Sequence, residues 1–205
     1  MDLFGDPNSL IVVLLRWAHI IFGIMWIGHL YFFNLVNVPL QKDLEADVKP
    51  KVNPKLLLRA LYWFRWGAMW TFVFGILMFG FKYFHQGLFF EQGGSISVRA
   101  IWILFGAILG TIMWFNVWFV IWPRQKAILG GVIAGKPHPD AAKMAATAMK
   151  ASRFNTYASG PMLYMMIVPN NYSGWSPVAI VIVSIIGVGF WFGMIKRSFK
   201  IKPTI

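Results

Sequence analysis

The sequence predicts an all-α integral membrane bundle of about five transmembrane helices, with the N-terminus outside and the C-terminus in the cytoplasm. Composition is the first observation: 58% of the 205 residues are hydrophobic and 13% are charged, and the mean hydropathy is +0.62, well above that of soluble domains. Hydropathy patterning is the second, because several apolar tracts are long enough to cross a bilayer. The distribution of lysine and arginine is the third, and it predicts the orientation.

We expect a single domain, 1–205, because this length suits one bundle of helices. The predicted spans are about 9–38, 57–84, 98–122, 150–168 and 177–195. Between the third and fourth spans we expect a short interfacial segment, a turn at Pro137–Pro139, and an Ala-rich helix capped by Asp140. Gly160 and Pro161 fall inside the fourth span and predict a bend there.

The basic residues are unevenly distributed between the two sides of this layout. Fifteen of the 19 lysines and arginines belong to the inner side: twelve lie between spans one and two, between spans three and four, or after span five, and Arg59, Lys150 and Arg153 lie at the adjoining span ends. Lys82 and Arg99 lie on the opposite side, and Arg16 and Arg65 lie inside spans. Because Lys and Arg accumulate on the cytoplasmic side, the N-terminus is predicted outside. The net charge of +12 therefore indicates membrane topology rather than nucleic-acid binding, and we expect a multi-pass protein of the bacterial cytoplasmic (inner) membrane.

Several absences exclude classes of function. The chain has no cysteine, which excludes disulfides, thiolate metal sites, iron–sulfur clusters and covalent haem attachment through Cys. The predicted spans contain no Asp or Glu, so a carboxylate-driven proton or cation pump is not expected. Motifs of soluble enzymes, such as a phosphate-binding glycine loop or HExxH, are also absent. The acidic start MDLFGDPNSL lacks a basic n-region, so no cleavable signal peptide is expected.

The first span carries the leading candidate for a cofactor site. Arg16, His19, Gly23, Trp26 and Leu30 recur at spacings of three and four and therefore share one helix face. A b-type haem needs such a face: imidazole ligates the iron, glycine leaves room for the macrocycle, and arginine pairs with a propionate. His19 is thus a candidate metal ligand, because it would ligate the haem iron. The alternative is a histidine that only hydrogen-bonds a neighbouring helix.

Two further histidines are cofactor-binding candidates. His29 lies ten residues after His19, which is about 15 Å along the helix and about 280° around it, so the two cannot share an iron. His85 lies just past the second span and would approach the level of His19 if that helix end packed inward. His138 lies between prolines in a loop, where we expect it to be solvated.

A set of polar residues from four spans is predicted at similar depth in the cytoplasmic half. Besides His29 and Tyr31, the members are Asn34, Arg65, Asn116, Arg153, Asn155 and Tyr157. They would line a site for a small molecule, quinol or proton, or they would form an interhelical hydrogen-bond network. Two GxxxG pairs, Gly106 with Gly110 and Gly189 with Gly193, are interpreted as helix-packing positions.

Two tracts resemble a known family. RWAHIIFGIMWIGHLYFFN (16–34) resembles the opening helix of the N-terminal membrane domain of bacterial membrane-bound urate hydroxylase, the urate oxidase N-terminal family, and 110–172 resembles its later section. The later tract keeps, in order, Asn116, Pro123, Gln125, Lys126, Asn155, Tyr157, Pro161 and Tyr172. The resemblance implies a multi-span membrane unit, usually followed by a cytochrome c domain that accepts electrons from substrate oxidation. It also matches His19 to a first-span histidine of the family.

The chain departs from the family pattern at three points. Phe154 stands where the family has a histidine before the Asn of RFNTY, Asn171 stands where the family reads NHY, and no CxxCH is present. These departures predict a short stand-alone form without a cytochrome c domain, in which the urate chemistry is not intact.

These features together lead to one functional hypothesis and two alternatives. We expect an integral membrane subunit of a larger electron-transfer complex, respiratory or photosynthetic, that binds a b-type haem and is not an enzyme as an isolated chain. The expected partners are other membrane subunits, lipids and a cytochrome c or quinol, with no nucleic acid. The first alternative is a cofactor-free accessory subunit, and the second is a urate-hydroxylase-like membrane oxidoreductase.

Overall fold

The computed structural model describes residues 6–171 and 174–201, which form a bundle of five long helices. These are α1 (Pro7–Asp43), α2 (Lys49–His85), α3 (Val98–Ile133), α4 (Ala141–Ile167) and α5 (Pro177–Ser198). Helices α1, α2, α3 and α5 are long and apolar enough to cross a membrane. The described residues contain no β-strand, only an isolated antiparallel bridge between Phe90 and Ile96. The predicted all-α membrane bundle is confirmed.

Some helices extend past the predicted spans. Helix α2 begins at Lys49 rather than near 57, with Pro50 in its first turn, where a missing N–H costs nothing. Helix α3 continues to Ile133, so the segment after the third span is helical and continuous with it, and its interfacial position stays a prediction. These additional turns are polar or mixed in composition, and hydropathy therefore does not detect them. The turn predicted at Pro137–Pro139 lies within the non-helical connection 134–140, in which Gly135 has a φ of +64°.

Side-chain caps begin three of the helices. The amide and hydroxyl of Ser9 donate to the Asp6 carboxylate at 2.9 and 2.7 Å, and these bonds lower the pKa of Asp6. Ser97 and Ser176 accept the amides of residues 100 and 179 in the same way. Asp140 occupies the cap position of α4 but makes no capping bond with its side chain. That part of the prediction is wrong.

Helices α1 and α2 meet in nearly backbone-to-backbone contact. A Cβ on Gly67 would lie 3.0 Å from the backbone nitrogen of Trp26. Gly23 faces the Thr71 methyl, and His19 faces Gly75. Gly67, Thr71 and Gly75 thus form a stripe of small residues on α2, paired in antiparallel order with the α1 face predicted from its three- and four-residue spacing.

Glycines bring helix α4 into close contact with both α5 and α3. A Cβ on Gly160 would lie 2.8 Å from the carbonyl oxygen of Gly187, so α4 and α5 cross there. Gly106 of α3 lies against Met165 of α4 in the same manner, as its predicted packing role requires. The other predicted pair is different: a Cβ on Gly189 or on Gly193 would meet nothing within 4 Å. The packing role expected for that pair within the chain is wrong, because α5 turns this face outward.

Three helices contain a π-helical segment. These are Phe32–Asn37 in α1, Gly80–His85 in α2 and Asn116–Ile121 in α3. Such segments add a residue to one turn and rotate the side chains that follow, and they occur frequently at functional sites. Asn34, His85 and Asn116, all selected from the sequence, lie on these segments.

Candidate functional site

His19 is fixed between α1 and α2. Its ring Nδ1 donates to the Thr71 carbonyl at 2.8 Å, and its Cε1 would lie 3.0 Å from a Cβ on Gly75. The interhelical hydrogen bond that the sequence left as the alternative is therefore present. A Cβ on Gly23 would lie 3.9 Å from the methyl of Thr71, an ordinary van der Waals contact, so Gly23 faces α2. The expectation that Gly23 makes room for a ring stays a prediction.

His29 lies in an open groove instead. The groove has a volume of about 530 Å³ and lies between α1 and α2. Its lining residues are Ile24, Met25, Gly28, His29, Phe32, Leu56, Arg59, Ala60 and Trp63. The Nδ1 of His29 donates to the carbonyl of Met25 at 2.7 Å, and a Cβ on Gly28 would meet nothing within 4 Å. The groove is thus apolar, with one imidazole and one guanidinium on its walls.

The tautomer of both α1 histidines follows from these bonds. A carbonyl oxygen only accepts, so the proton of the neutral ring is on Nδ1 in each case. The Nε2 of each ring then carries a lone pair. This is the arrangement in which histidines bind metals, with the second nitrogen anchored to a backbone carbonyl or carboxylate.

His85 does not meet His19. It is exposed at the end of α2, and its ring centroid lies 4.8 Å from that of Phe81 on the same helix. His138 is half-buried in its loop, where its Nδ1 accepts the amide of Asp140. Within residues 6–171 and 174–201, no three His, Asp or Glu side chains converge to hold a metal ion.

Arg16 belongs to a basic cluster near one end of the bundle. It lies on α1, and Arg99 lies at the start of α3; both act electrostatically on Lys82. The ammonium of Lys82 also donates to the amide oxygen of Asn170 at 3.0 Å. The cluster brings together α1, α2, α3 and the segment after α4 that contains Asn170. It lies at the end of the bundle opposite the 134–140 loop.

Two members of the predicted polar set bond to each other. The Nδ2 of Asn116 donates to Oδ1 of Asn155 at 2.9 Å, and the Nδ2 of Asn155 donates to the carbonyl of Met113 at 2.9 Å. Asn155 is completely buried. This pair ties α3 to α4 through the π-helical segment that begins at Asn116.

A second polar seam joins α1 to α4. Asn34 is completely buried, and its Nδ2 donates to the hydroxyl of Ser152 at 2.8 Å. The Tyr31 and Ser159 hydroxyls lie 3.0 Å apart, and the Thr156 hydroxyl bonds the carbonyl of Ser152. Sequence analysis missed the three α4 hydroxyls. Their spacing of four and three residues on a helix was the signal, because it places small polar groups on one face.

The remaining members of the predicted polar set do not join these networks. Arg65 packs its guanidinium 3.8 Å from the ring centroid of Trp122 on α3, and the indole of Trp118 donates to its carbonyl. Arg153 lies near Phe199. Tyr157 lines a second groove between α4 and α5, with a volume of about 630 Å³. The set is therefore divided among separate places in the fold.

The fold and these contacts define a multi-span α-helical membrane protein whose helices are joined by buried amides, hydroxyls and one interhelical histidine. A family model described as urate oxidase N-terminal matches residues 87–203. Because this match covers more than half of the chain, the protein belongs to the urate oxidase N-terminal family. Comparison with curated proteins and comparison with solved structures give no match.

The family match confirms the resemblance and shows where it applies. The tract 110–172 lies inside the matched residues, whereas 16–34, with both α1 histidines, lies outside them. Tyr172 of the family-like tract and Lys202 of the basic C-terminal group lie outside the residues that the structure describes.

Proposed function

We propose that the protein is a multi-pass redox subunit of a larger complex in the bacterial cytoplasmic membrane, and that it holds one b-type haem in the groove of His29. The observation that carries the proposal is the groove itself, with its volume of about 530 Å³ and its ligand-competent imidazole. Membership of a family described as urate oxidase N-terminal supports a redox setting. The family match does not by itself name a substrate for this chain.

The residues of the groove fit the chemistry of a haem. Nε2 of His29 would ligate the iron, because Nδ1 is held by the Met25 carbonyl. Gly28 leaves its side of the groove open, and Phe32 and Trp63 offer apolar contact to a ring. Arg59 uses one nitrogen on the Lys55 carbonyl and retains other donors for a propionate. When bound, haem supplies one-electron transfer at a potential set by its ligand and surroundings.

His19 has a different role in this proposal. It lies ten residues before His29 on α1, where it bonds α2 rather than facing the groove. We assign it to positioning: the Thr71 bond and the Gly75 contact set the register of α1 against α2. That register places Gly28 and His29 opposite Leu56 and Ala60.

The shape of the groove supports a partner subunit. It is lined by two helices and open along its length, and Ile24 and Trp63 on its rim are 68% and 51% exposed. A haem there would present one edge to lipid unless another chain covered it. A shielded cofactor therefore requires a neighbouring membrane subunit, which agrees with the expectation of a larger complex.

The test is the visible spectrum of the protein purified from its native membrane with its co-purifying subunits. We expect a Soret band in the wild type, its loss in His29→Ala, and its retention in His19→Ala. His138→Ala, in the 134–140 loop, is the matched control and should leave the spectrum unchanged. Circular dichroism and gel filtration of each variant establish that the bundle is folded.

Two outcomes would overturn the proposal in different ways. A wild-type complex without a Soret band excludes the haem. A Soret band that is lost in folded His19→Ala and kept in His29→Ala moves the ligand to the α1–α2 contact and excludes the groove.

A cofactor-free accessory subunit is the second candidate function. The observation that favours it is the interhelical bond of His19, which shows that one α1 histidine already serves helix pairing. On this account His29→Ala leaves the spectrum of the complex unchanged. His19→Ala would then lower the yield of assembled complex.

A further inference from the structure

Two cations from different helices converge on one aromatic ring. Lys42, in the last turn of α1, places its ammonium 4.3 Å from the ring centroid of Phe199, which follows α5. Arg153 of α4 places its guanidinium carbon 5.6 Å from the same centroid. These three residues, here called the Phe199 cluster, lie at the end of the bundle that carries the 44–48 loop.

Among residues 6–171 and 174–201, no acidic side chain forms a salt bridge with either cation of the cluster. The one salt bridge in the described parts of the chain joins Lys51 to Asp47 at the same end of the bundle and includes neither cation of the cluster. Two like charges this close to a single ring repel each other, and an aromatic face offsets only part of that cost. The arrangement is therefore favourable when an anion lies between the two cations.

Arg153 also has a hydrogen-bond donor without an acceptor. Its Nη1 is buried, and no acceptor within the described residues bonds to it. A buried guanidinium N–H without a partner is costly, since charged donors lose the most on desolvation. An oxyanion beside the Phe199 cluster would neutralise Lys42 and Arg153 at the same time, and it would satisfy this donor once the guanidinium turns toward it.

We propose that the Phe199 cluster binds the phosphate of an anionic phospholipid headgroup. Phosphate offers several acceptor oxygens to a guanidinium and an ammonium. Basic pockets between transmembrane helices on the cytoplasmic side bind acidic headgroups in this way. Phe199 and Ile201 are 39% and 65% exposed, so acyl chains have apolar contacts beside the charges. Free phosphate offers the same acceptor oxygens but has no acyl chains to make these apolar contacts.

Native mass spectrometry of the purified full chain in non-ionic detergent tests the proposal. Phosphatidylglycerol should remain bound at concentrations where phosphatidylcholine and inorganic phosphate do not. Arg153→Gln and Lys42→Gln should each weaken phosphatidylglycerol binding about fivefold, the effect of one basic residue near an anionic headgroup.

Lys196→Gln is the matched control. Lys196 lies 4.4 Å from the ring centroid of Phe192, a similar cation–aromatic contact in which a single cation faces the ring. We expect less than a twofold change in this variant. If Arg153→Gln does not fold, Lys42→Gln carries the test, because Lys42 is exposed and its removal leaves the bundle core unaltered.

Three results would overturn the lipid site. The first is equal retention of phosphatidylcholine and phosphatidylglycerol, because the net negative charge would then play no part. The second is a loss of phosphatidylglycerol binding in Lys196→Gln as large as that in Lys42→Gln, because the lipid would then be attracted by the general positive charge and not by the Phe199 cluster. The third is equal retention of inorganic phosphate with the same sensitivity to Lys42→Gln, which would assign the site to a free anion.

Discussion

At the scale of single residues, two histidines on one helix have opposite surroundings. Both rings are anchored through Nδ1 to a backbone carbonyl. His19 uses that bond to join two helices, whereas His29 bonds within its own helix and leaves its other edge to a groove. A histidine thus joins two helices in one case and lines a groove in the other. The neighbouring glycines differ accordingly: Gly75 is in contact with His19, whereas a Cβ on Gly28 would meet nothing within 4 Å.

Gly75→Ala should destabilise the α1–α2 contact. The new Cβ would lie 3.0 Å from Cε1 and 3.2 Å from Nδ1 of His19, and the imidazole is held by Thr71, so we expect a loss of about 1–3 kcal/mol. Thermal unfolding in detergent micelles measures it. Gly80→Ala on the same helix is the control, because its Cβ meets nothing within 4 Å. Equal melting temperatures of the two variants would contradict the proposed close fit.

Asn155→Leu should cost more stability than Asn116→Leu. The first change removes two interhelical bonds and the second removes one, and membrane hydrogen bonds contribute about 0.6 kcal/mol each, at most about 1.7. A double-mutant cycle in mixed micelles measures the coupling between the two amides. Additive effects, with no coupling, would show that the bond at 2.9 Å contributes nothing to stability.

At the scale of helices, the contacts are set by where backbones approach. Gly67, Gly75, Gly106, Gly160 and Gly187 each face a neighbouring helix at a distance too short for an unadjusted Cβ. The three π-helical segments carry Asn34, His85 and Asn116. Glycine spacing therefore accounts for the crossings, and the π-helical segments carry part of the polar network.

Gly187→Ala should displace α5 from α4. Its Cβ would lie 2.8 Å from Cδ and N of Pro161, and neither the ring nor the backbone can move aside. We expect a loss of about 3 kcal/mol, at the upper end for overpacking. Thermal unfolding compares this variant with Gly189→Ala, two residues along the same helix, whose Cβ would be in open space. A smaller loss of stability in Gly187→Ala than in Gly189→Ala would contradict the close crossing of α4 and α5.

At the scale of the whole molecule, charge distribution predicts how the bundle lies in the membrane. The loop at 134–140 and the residues after α5 belong to the segments that carry fifteen of the 19 basic residues. The 86–97 connection between α2 and α3 is at the opposite end and carries none. The orientation with the N-terminus outside stays a prediction from this asymmetry.

Cysteine labelling tests the orientation without interference, because the natural chain has no cysteine. We expect a membrane-impermeant maleimide added to intact spheroplasts to label Gln92→Cys and to leave Lys136→Cys unlabelled. Both side chains are exposed, so detergent-solubilised protein should label at both positions, which is the control. The reverse pattern in spheroplasts would invert the bundle and place the Phe199 cluster on the outer leaflet.

Part of the candidate site could be predicted from the sequence. The rest could not, and the physical reasons can be identified. Asn116 and Asn155 were selected as polar residues at similar depth, and they bond directly. Arg65 and Arg153 were placed with them but face aromatic rings elsewhere. Depth along a helix follows from counting residues, whereas direction around it depends on crossing angles and on π-helical segments that no periodicity reveals.

Composition, hydropathy and charge were sufficient for the helical membrane class, because lipid imposes the same demand on every span. The family was within reach of the 110–172 tract, which lies inside the matched residues. The tertiary structure alone decided that His19 is a helix-pairing residue and that His29 faces a groove. It also decided that Lys42 and Arg153 meet at Phe199. The physical reason is that these outcomes depend on which backbone comes within van der Waals distance of which side chain, and that distance is set by glycines on a neighbouring helix.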